Sequence, residues 1–181
     1  MLTLDQLIES LSQHGHSQYG GEAVTQLEHA LQTALLAEQH NASASLISAA
    51  LLHDFGHLCH DLPNNAPEQG VDDCHEDLGH QYLKALFPSE VVEPVRLHVA
   101  AKRYLCAISD SYLIQLSEPS RLSLQLQGGV MSNEEVQAFR ANAFADSAIQ
   151  LRQWDDLAKD PDLKTPPLDH FTPYLQQSLE K

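Results

Sequence analysis

Apolar residues recur along this chain at helical rather than strand spacing. Leu27, Ala30, Leu31, Ala34 and Leu35 keep a three-four rhythm from Gln26 to about Gln39, and the capping box Thr25-Gln-Leu-Glu28 supplies the start. A shorter amphipathic helix opens at Thr3-Leu-Asp-Gln6, runs to about Ser12 and ends at His14-Gly15-His16, which read as solvated loop residues. The segment from about Ser43 differs from both. Its run Leu46-Ile-Ser-Ala-Ala-Leu-Leu52 is apolar all round, as in a helix buried on every side, and it leads into His53-Asp54-Phe55-Gly56-His57.

Beyond it, the stretch from Pro63 through Pro67 to Gly70 reads as a polar loop. His75 begins the next helix, with Leu78, Tyr82, Leu83 and Leu86 as its apolar face. Pro88-Ser89 marks another start, leading through Val91, Val92, Val95 and Val99 to about Leu105; Pro94 within it implies a kink or a late start. Further helices are predicted at Ser111–Leu116, Pro119–Leu126, Glu134–Phe144 and Asp146–Lys159, with Gly128-Gly129 as a break and Ser132-Asn-Glu-Glu135 as a third capping box. Asp160-Pro161, Pro166-Pro167 and Pro173 punctuate a tail ending in one short helix. No stretch alternates like a strand and no internal repeat occurs, so the fold class is all-α.

Composition narrows the function. The 181 residues fit one domain with a real core. Acidic residues outnumber basic ones 25 to 10, giving a formal charge of −15 with no Lys/Arg cluster, which argues against nucleic-acid binding. No apolar run approaches membrane-helix length and the N-terminus lacks a basic leader, so a cytoplasmic protein with no membrane partner is expected. Cys59, Cys74 and Cys106 lack zinc-like spacing and read as reduced, incidental thiols. Eleven histidines is the figure that points to metal.

Neutral imidazole suits first-row transition metals and a carboxylate can bridge two of them, so the doublet His53-Asp54 can serve a pair of ions. Alone it reads as a satisfied polar dyad. His29 among Leu27, Ala30 and Leu31, His75 before an apolar face, His98 between Val95 and Val99, and Asp155 after Leu151 and Trp154 each put a polar group in an apolar setting. Such placement costs a few kcal/mol unless the group is paired or metal-bound (order of magnitude ~2–7). Singly each is more often structural; six ligand-type residues on five helical segments point to a metal centre.

The pattern His29, His53-Asp54, Asp155 resembles the HD-domain superfamily of all-helical metalloproteins, and His75 and His98 match its two-metal members. By that resemblance Asp54 bridges the ions, one metal takes His29, His53, Asp54 and Asp155, and the other takes Asp54, His75 and His98. A closer resemblance is to the mixed-valent diiron oxygenases of phosphonate catabolism, the 2-amino-1-hydroxyethylphosphonate dioxygenases. It rests on Tyr19-Gly-Gly-Glu22, Gln26-Leu-Glu-His29, Leu51-Leu-His-Asp-Phe-Gly-His57, His98-Val-Ala-Ala-Lys-Arg-Tyr-Leu105, Gln127-Gly-Gly129 and Arg152-Gln-Trp-Asp155. It implies a single HD domain over residues 1–181, with a metal-binding core at about 19–160 and a tail at 161–181. It further implies two irons, Fe(II)/Fe(III), O2 as co-substrate, and cleavage of the C–P bond to give glycine and phosphate. The expected partner is a small organophosphonate, bound by a monomer.

Helix spacing supports an anion site. Lys102 is four residues after His98 and Arg152 three before Asp155, so each cation shares a helix face with a ligand and suits a phosphonate, unless both are surface groups paired with acids. His57, four after His53, is a third phosphonate donor or a partner that orients a ligand. Ser120 and Ser123 offer hydroxyls, or simply mark a helix start. By resemblance Gln26 joins the substrate pocket, and Tyr19 and Glu22 form a loop that closes on substrate. Tyr19 can occupy an iron position when substrate is absent, and Glu22 faces the substrate ammonium; otherwise Glu22 belongs to a surface loop near a helix N-terminus. Gly20-Gly21 makes that loop permissive. Retention of Tyr19 and Glu22 favours a primary amine; the N-trimethylated substrate, giving glycine betaine, is the alternative. An HD phosphohydrolase using the same six ligands is the alternative of another class, and a non-catalytic metal or phosphonate sensor is a third.

Overall fold

A computed structural model describes residues 2–60, 62–63 and 66–180. Ten α-helices are present among them: α1 (Leu4–His14), α2 (Gln26–Gln39), α3 (Ala44–Leu52), α4 (His75–Leu83), α5 (Ser89–Ile108), α6 (Asp110–Gln115), α7 (Glu118–Leu126), α8 (Asn133–Arg140), α9 (Ala145–Leu157) and α10 (Leu168–Gln177). The described residues contain no strand, only an isolated bridge between Gln18 and Thr25. The all-α expectation holds.

The three capping boxes form as read, at Thr3, Thr25 and Ser132, each with both reciprocal bonds. The all-apolar run becomes α3, whose Ala49 and Ala50 are fully buried. Their small side chains let neighbours approach from several sides, and α2, α5, α9 and α10 all pack on it. Phe171 and Leu175 of α10 join that core cluster, so the C-terminal segment folds back onto the site-bearing helices. A second cluster joins α5, α8 and α9, where the Tyr104 and Phe139 rings lie 5.0 Å apart.

Several boundaries differ from the sequence reading. Helix α5 starts at Ser89 and continues past Pro94 to Ile108, which rules out the late start. Pro94 falls early enough that the helix loses only one backbone bond. Helix α8 stops at Arg140 because Asn142 accepts from the Phe144 N–H through its side chain at 2.9 Å, competing with helical bonding. Helix α1 runs on to His14, and α9 ends at Leu157, short of Lys159. The expected face of α4 also shifts: Tyr82 is 46% exposed, and His75, Gly79 and Leu83 are the buried residues. Gly128 and Gly129 break the chain with φ of 99° and 71°. In the polar loop, Pro67–Gln69 forms a 3-10 turn, while Asn64 and Asn65 lie outside the described residues.

Candidate metal centre

Helix α3 ends at Leu52, so His53 and Asp54 lie at its exit rather than on it. Consecutive residues within a helix point about 100° apart. Leaving the helix lets both side chains reach one point, and His53 Nε2 lies 3.3 Å from Asp54 Oδ2. A 3-10 turn, Phe55–Leu58, follows directly. A Cβ on Gly56 would stand 1.9 Å from the His75 carbonyl oxygen, so glycine is required for the first residues of α4 to come this close. That contact brings His75 to the doublet. His75 is further aimed by Cys74, which adopts a left-handed φ of 49°, and by Asp73, whose Oδ1 accepts from His75 Nδ1 at 2.9 Å.

All six predicted ligands converge and are buried. His29 Nε2 is 3.1 Å from His53 Nε2 and 3.3 Å from Asp155 Oδ1. On the other side, His75 Nε2 is 3.1 Å from His98 Nε2, and Asp54 Oδ1 is 3.3 Å and 3.4 Å from those two nitrogens. Asp54 Oδ2 turns the other way, to His29 at 3.5 Å and His53 at 3.3 Å. Two ligand groups thus form, with His29, His53 and Asp155 in one and Asp54, His75 and His98 in the other, and the second oxygen of Asp54 joins them.

The donor chemistry calls for cations. Nδ1 of His29, His53 and His98 lies 2.7–2.8 Å from the carbonyls of Ala158, Ala50 and Val95. Each Nδ1–H therefore donates outward and leaves an Nε2 lone pair facing inward. In the neutral rings the lone pairs within each group face one another and carboxylate oxygens, an arrangement that a metal cation relieves; in its absence Asp54, against the opposing effect of burial, pushes His53 and His75 up towards the protonated form. Asp54 Oδ2 and both oxygens of Asp155 have no hydrogen-bond partner among the described residues; Arg152 Nη1 lies 2.7 Å from Asp155 Oδ2, but as an ion pair rather than a directed bond. Burial would raise both aspartates, yet His53 holds Asp54 and Arg152 holds Asp155 well below the usual carboxylate range. Burial also lowers His98 to about 4, which keeps it a neutral ligand.

A cavity of about 590 Å³ opens on this centre. Tyr19, Glu22, His57, Lys102, Ser120, Ser123 and Arg152 line it, whereas Gln26 does not; the Gln26 backbone N–H donates to the Ser17 carbonyl at the start of α2. The Tyr19 ring stacks on His29 with centroids 3.8 Å apart, covering the first ligand group. Burial, then Asp155 and Asp54, raise its phenol well above the ordinary value. Lys102 Nζ donates to Ser123 Oγ at 2.8 Å, and burial, aided by Arg152, brings its ammonium down to about 7. Arg152 is committed to protein partners: Nη1 faces Asp155, Nη2 pairs with Asp156, and Nε donates to the Tyr112 hydroxyl at 3.2 Å. His57 reaches the cavity from the 3-10 turn and not from a helix face, stacking on His75 with centroids 4.0 Å apart.

Two residues escaped the sequence reading. Asp73 takes His57 Nδ1 at 2.6 Å and His75 Nδ1 at 2.9 Å, tying a pocket residue to a ligand; its place two before His75 was the available signal. Lys159 pairs with Glu22 Oε1 at 2.9 Å across 137 positions of sequence, with no pattern to announce it.

The HD-domain model matches residues 26–147. The chain belongs to the HD-domain family. It is 45% identical to a hydroxymethylphosphonate dioxygenase from Gimesia maris, over 96% of this chain and 87% of the relative. It is 42% identical to a [1-hydroxy-2-(trimethylamino)ethyl]phosphonate dioxygenase (glycine-betaine-forming) from Leisingera caerulea, over 92% and 85%. An uncharacterized protein of Acanthamoeba polyphaga mimivirus shares 36% over 97% and 81%. Within the HD family the chain therefore sits with the phosphonate oxygenases, an oxidoreductase group, and its two buried His/Asp groups could each hold a metal ion.

Proposed function

We propose that this chain cleaves the C–P bond of a small 1-hydroxyphosphonate with O2, releasing phosphate and the carboxylate of the remaining carbon fragment. The observation that carries the reading is the bridging geometry of Asp54, one oxygen to each ligand group, beside a cavity lined by buried cationic side chains. His29, His53, Asp54 and Asp155 would hold one ion, and Asp54, His75 and His98 the other. Two irons held there would supply the redox chemistry that O2 requires.

The chain's own residues then do the positioning. Lys102, steered by Ser123, donates to the phosphonate, with Ser120 as a further donor, while His57, whose Nδ1–H goes to Asp73, serves as the partner that orients the ligand His75. Arg152 acts mainly through Asp155: its guanidinium holds that ligand ionised and oriented, and adds positive charge to the cavity wall. Tyr19 covers the His29 side and must swing away to admit substrate; its neighbours Gly20 and Gly21 have φ of 42° and 83°, a backbone other residues adopt only under strain. Residues 1–181 work as one domain, because α10 is built into the core around α3.

The reaction balances as substrate plus O2 to carboxylate plus phosphate. The C1–H and C–P bonds break, a C–O and a P–O bond form, and dioxygen is reduced into the two new product oxygens. Glycine, glycine betaine or formate would arise from the 2-amino, 2-trimethylammonio or unsubstituted substrate. Iron-loaded protein supplied with these compounds should consume O2 and release phosphate in equal amounts. Phosphate release from a phosphomonoester without O2 uptake would instead establish the hydrolase.

A further inference from the structure

Lys159 follows Ala158, whose carbonyl accepts from His29 Nδ1 at 2.8 Å, so its backbone is tethered to the metal centre. Its side chain lines the cavity. Nζ donates to Glu22 Oε1 at 2.9 Å and to Ser120 Oγ at 3.1 Å, and lies 5.9 Å from the centroid of the Tyr19 ring. Ser117 Oγ gives the same Glu22 oxygen a second bond of 2.6 Å. The carboxylate expected to receive a substrate ammonium thus already holds one from the protein, and the aromatic ring that could face a quaternary ammonium already has a cation over it.

Building on the oxidative C–P cleavage proposed above, we infer that Lys159 is a specificity-determining residue, which by occupying Glu22 selects 1-hydroxyphosphonates without a cationic 2-substituent. Hydroxymethylphosphonate is the simplest of that class. A 2-ammonio substrate would either expel Lys159 from Glu22 or set two cations side by side in a partly desolvated corner, and like charges so placed disfavour binding. A trimethylammonio group fares no better. It cannot hydrogen-bond to Glu22, and it would meet the Lys159 ammonium in the same corner. The remaining acids of the cavity offer no substitute: Asp54 faces the metal ligands, Asp73 holds His57 and His75, the Asp72 side chain accepts from the Cys74 N–H, and Glu118 is exposed at the start of α7.

The test compares hydroxymethylphosphonate, 2-amino-1-hydroxyethylphosphonate and its N-trimethyl form on the full metal-loaded chain, by kcat/KM and by calorimetric Kd. The wild type should favour hydroxymethylphosphonate by at least about tenfold in both measures. Lys159→Met and Lys159→Gln should each move the ratio towards the ammonium substrates by about tenfold, through KM more than kcat. Wild-type preference for either ammonium substrate, or an unchanged ratio in both variants, would overturn the inference. Turnover of none of the three would sink the proposed function, while the Kd ratios would still judge Lys159. The wild-type ratio decides the matter even if both substitutions prevent folding.

Discussion

His29 and His53 point their Nε2 atoms at each other across 3.1 Å, and with both Nδ1 atoms engaged by backbone carbonyls, the neutral form of each ring turns a lone pair toward the other. A cation between them would turn that repulsion into ligation and couple metal binding to folding. Stripping the metal with a chelator should lower Tm by about 5–10 °C, as ions held at ~100 times Kd contribute about 2.7 kcal/mol. Reloading should restore it; an unchanged Tm in calorimetry would count against a metal centre.

Asp54 serves both ligand groups, one oxygen to each. Asp54→Ala should therefore lose both ions, whereas Asp155→Ala should lose the ion at His29 and His53 and keep the other. Metal analysis of purified variants distinguishes these outcomes, and two irons retained by Asp54→Ala would contradict the bridge.

Gly56 has no room for a methyl group beside the His75 carbonyl, 1.9 Å from where its Cβ would be. Gly56→Ala should push the start of α4 away, destabilise the fold by about 2–3 kcal/mol, and weaken the second metal ion before the first. Denaturant titration and stepwise metal analysis read the two effects separately.

Lys102 is 3% exposed, and its ammonium, brought down to about 7, is charged below that pH and neutral above it. Affinity for a dianion should thus fall as pH rises through about 7. Sulfate, whose own charge is constant over this range, is the suitable probe. Lys102→Gln should bind sulfate more weakly and lose this step of the profile while keeping its metal; a profile identical to that of the wild type would remove Lys102 from the anion site.

Some features were legible from local rules. The capping boxes at Thr3, Thr25 and Ser132 rest on contacts three residues apart, and α2 and α3 follow from their periodicity. Others depended on competition that a pattern does not show. Tyr82 fits the helical spacing of α4 yet faces solvent, because Gly79 and His75 are drawn inward by Gly56 and Asp54. The four-residue spacing of His53 and His57 implies a shared helix face, whereas the chain turns at Asp54 and His57 reaches the cavity by another route.

By itself the sequence determined the helical class, the identity of six ligand-type residues and their attachment to separate buried segments, because amphipathic spacing and capping are local and a polar group in an apolar run is conspicuous. Only the tertiary structure decided how those residues pair. That Asp54 splits its oxygens between two groups and that Lys159 neutralises Glu22 are contacts between segments up to 137 positions apart. Such contacts depend on helix packing in three dimensions, which no periodicity within a single segment encodes.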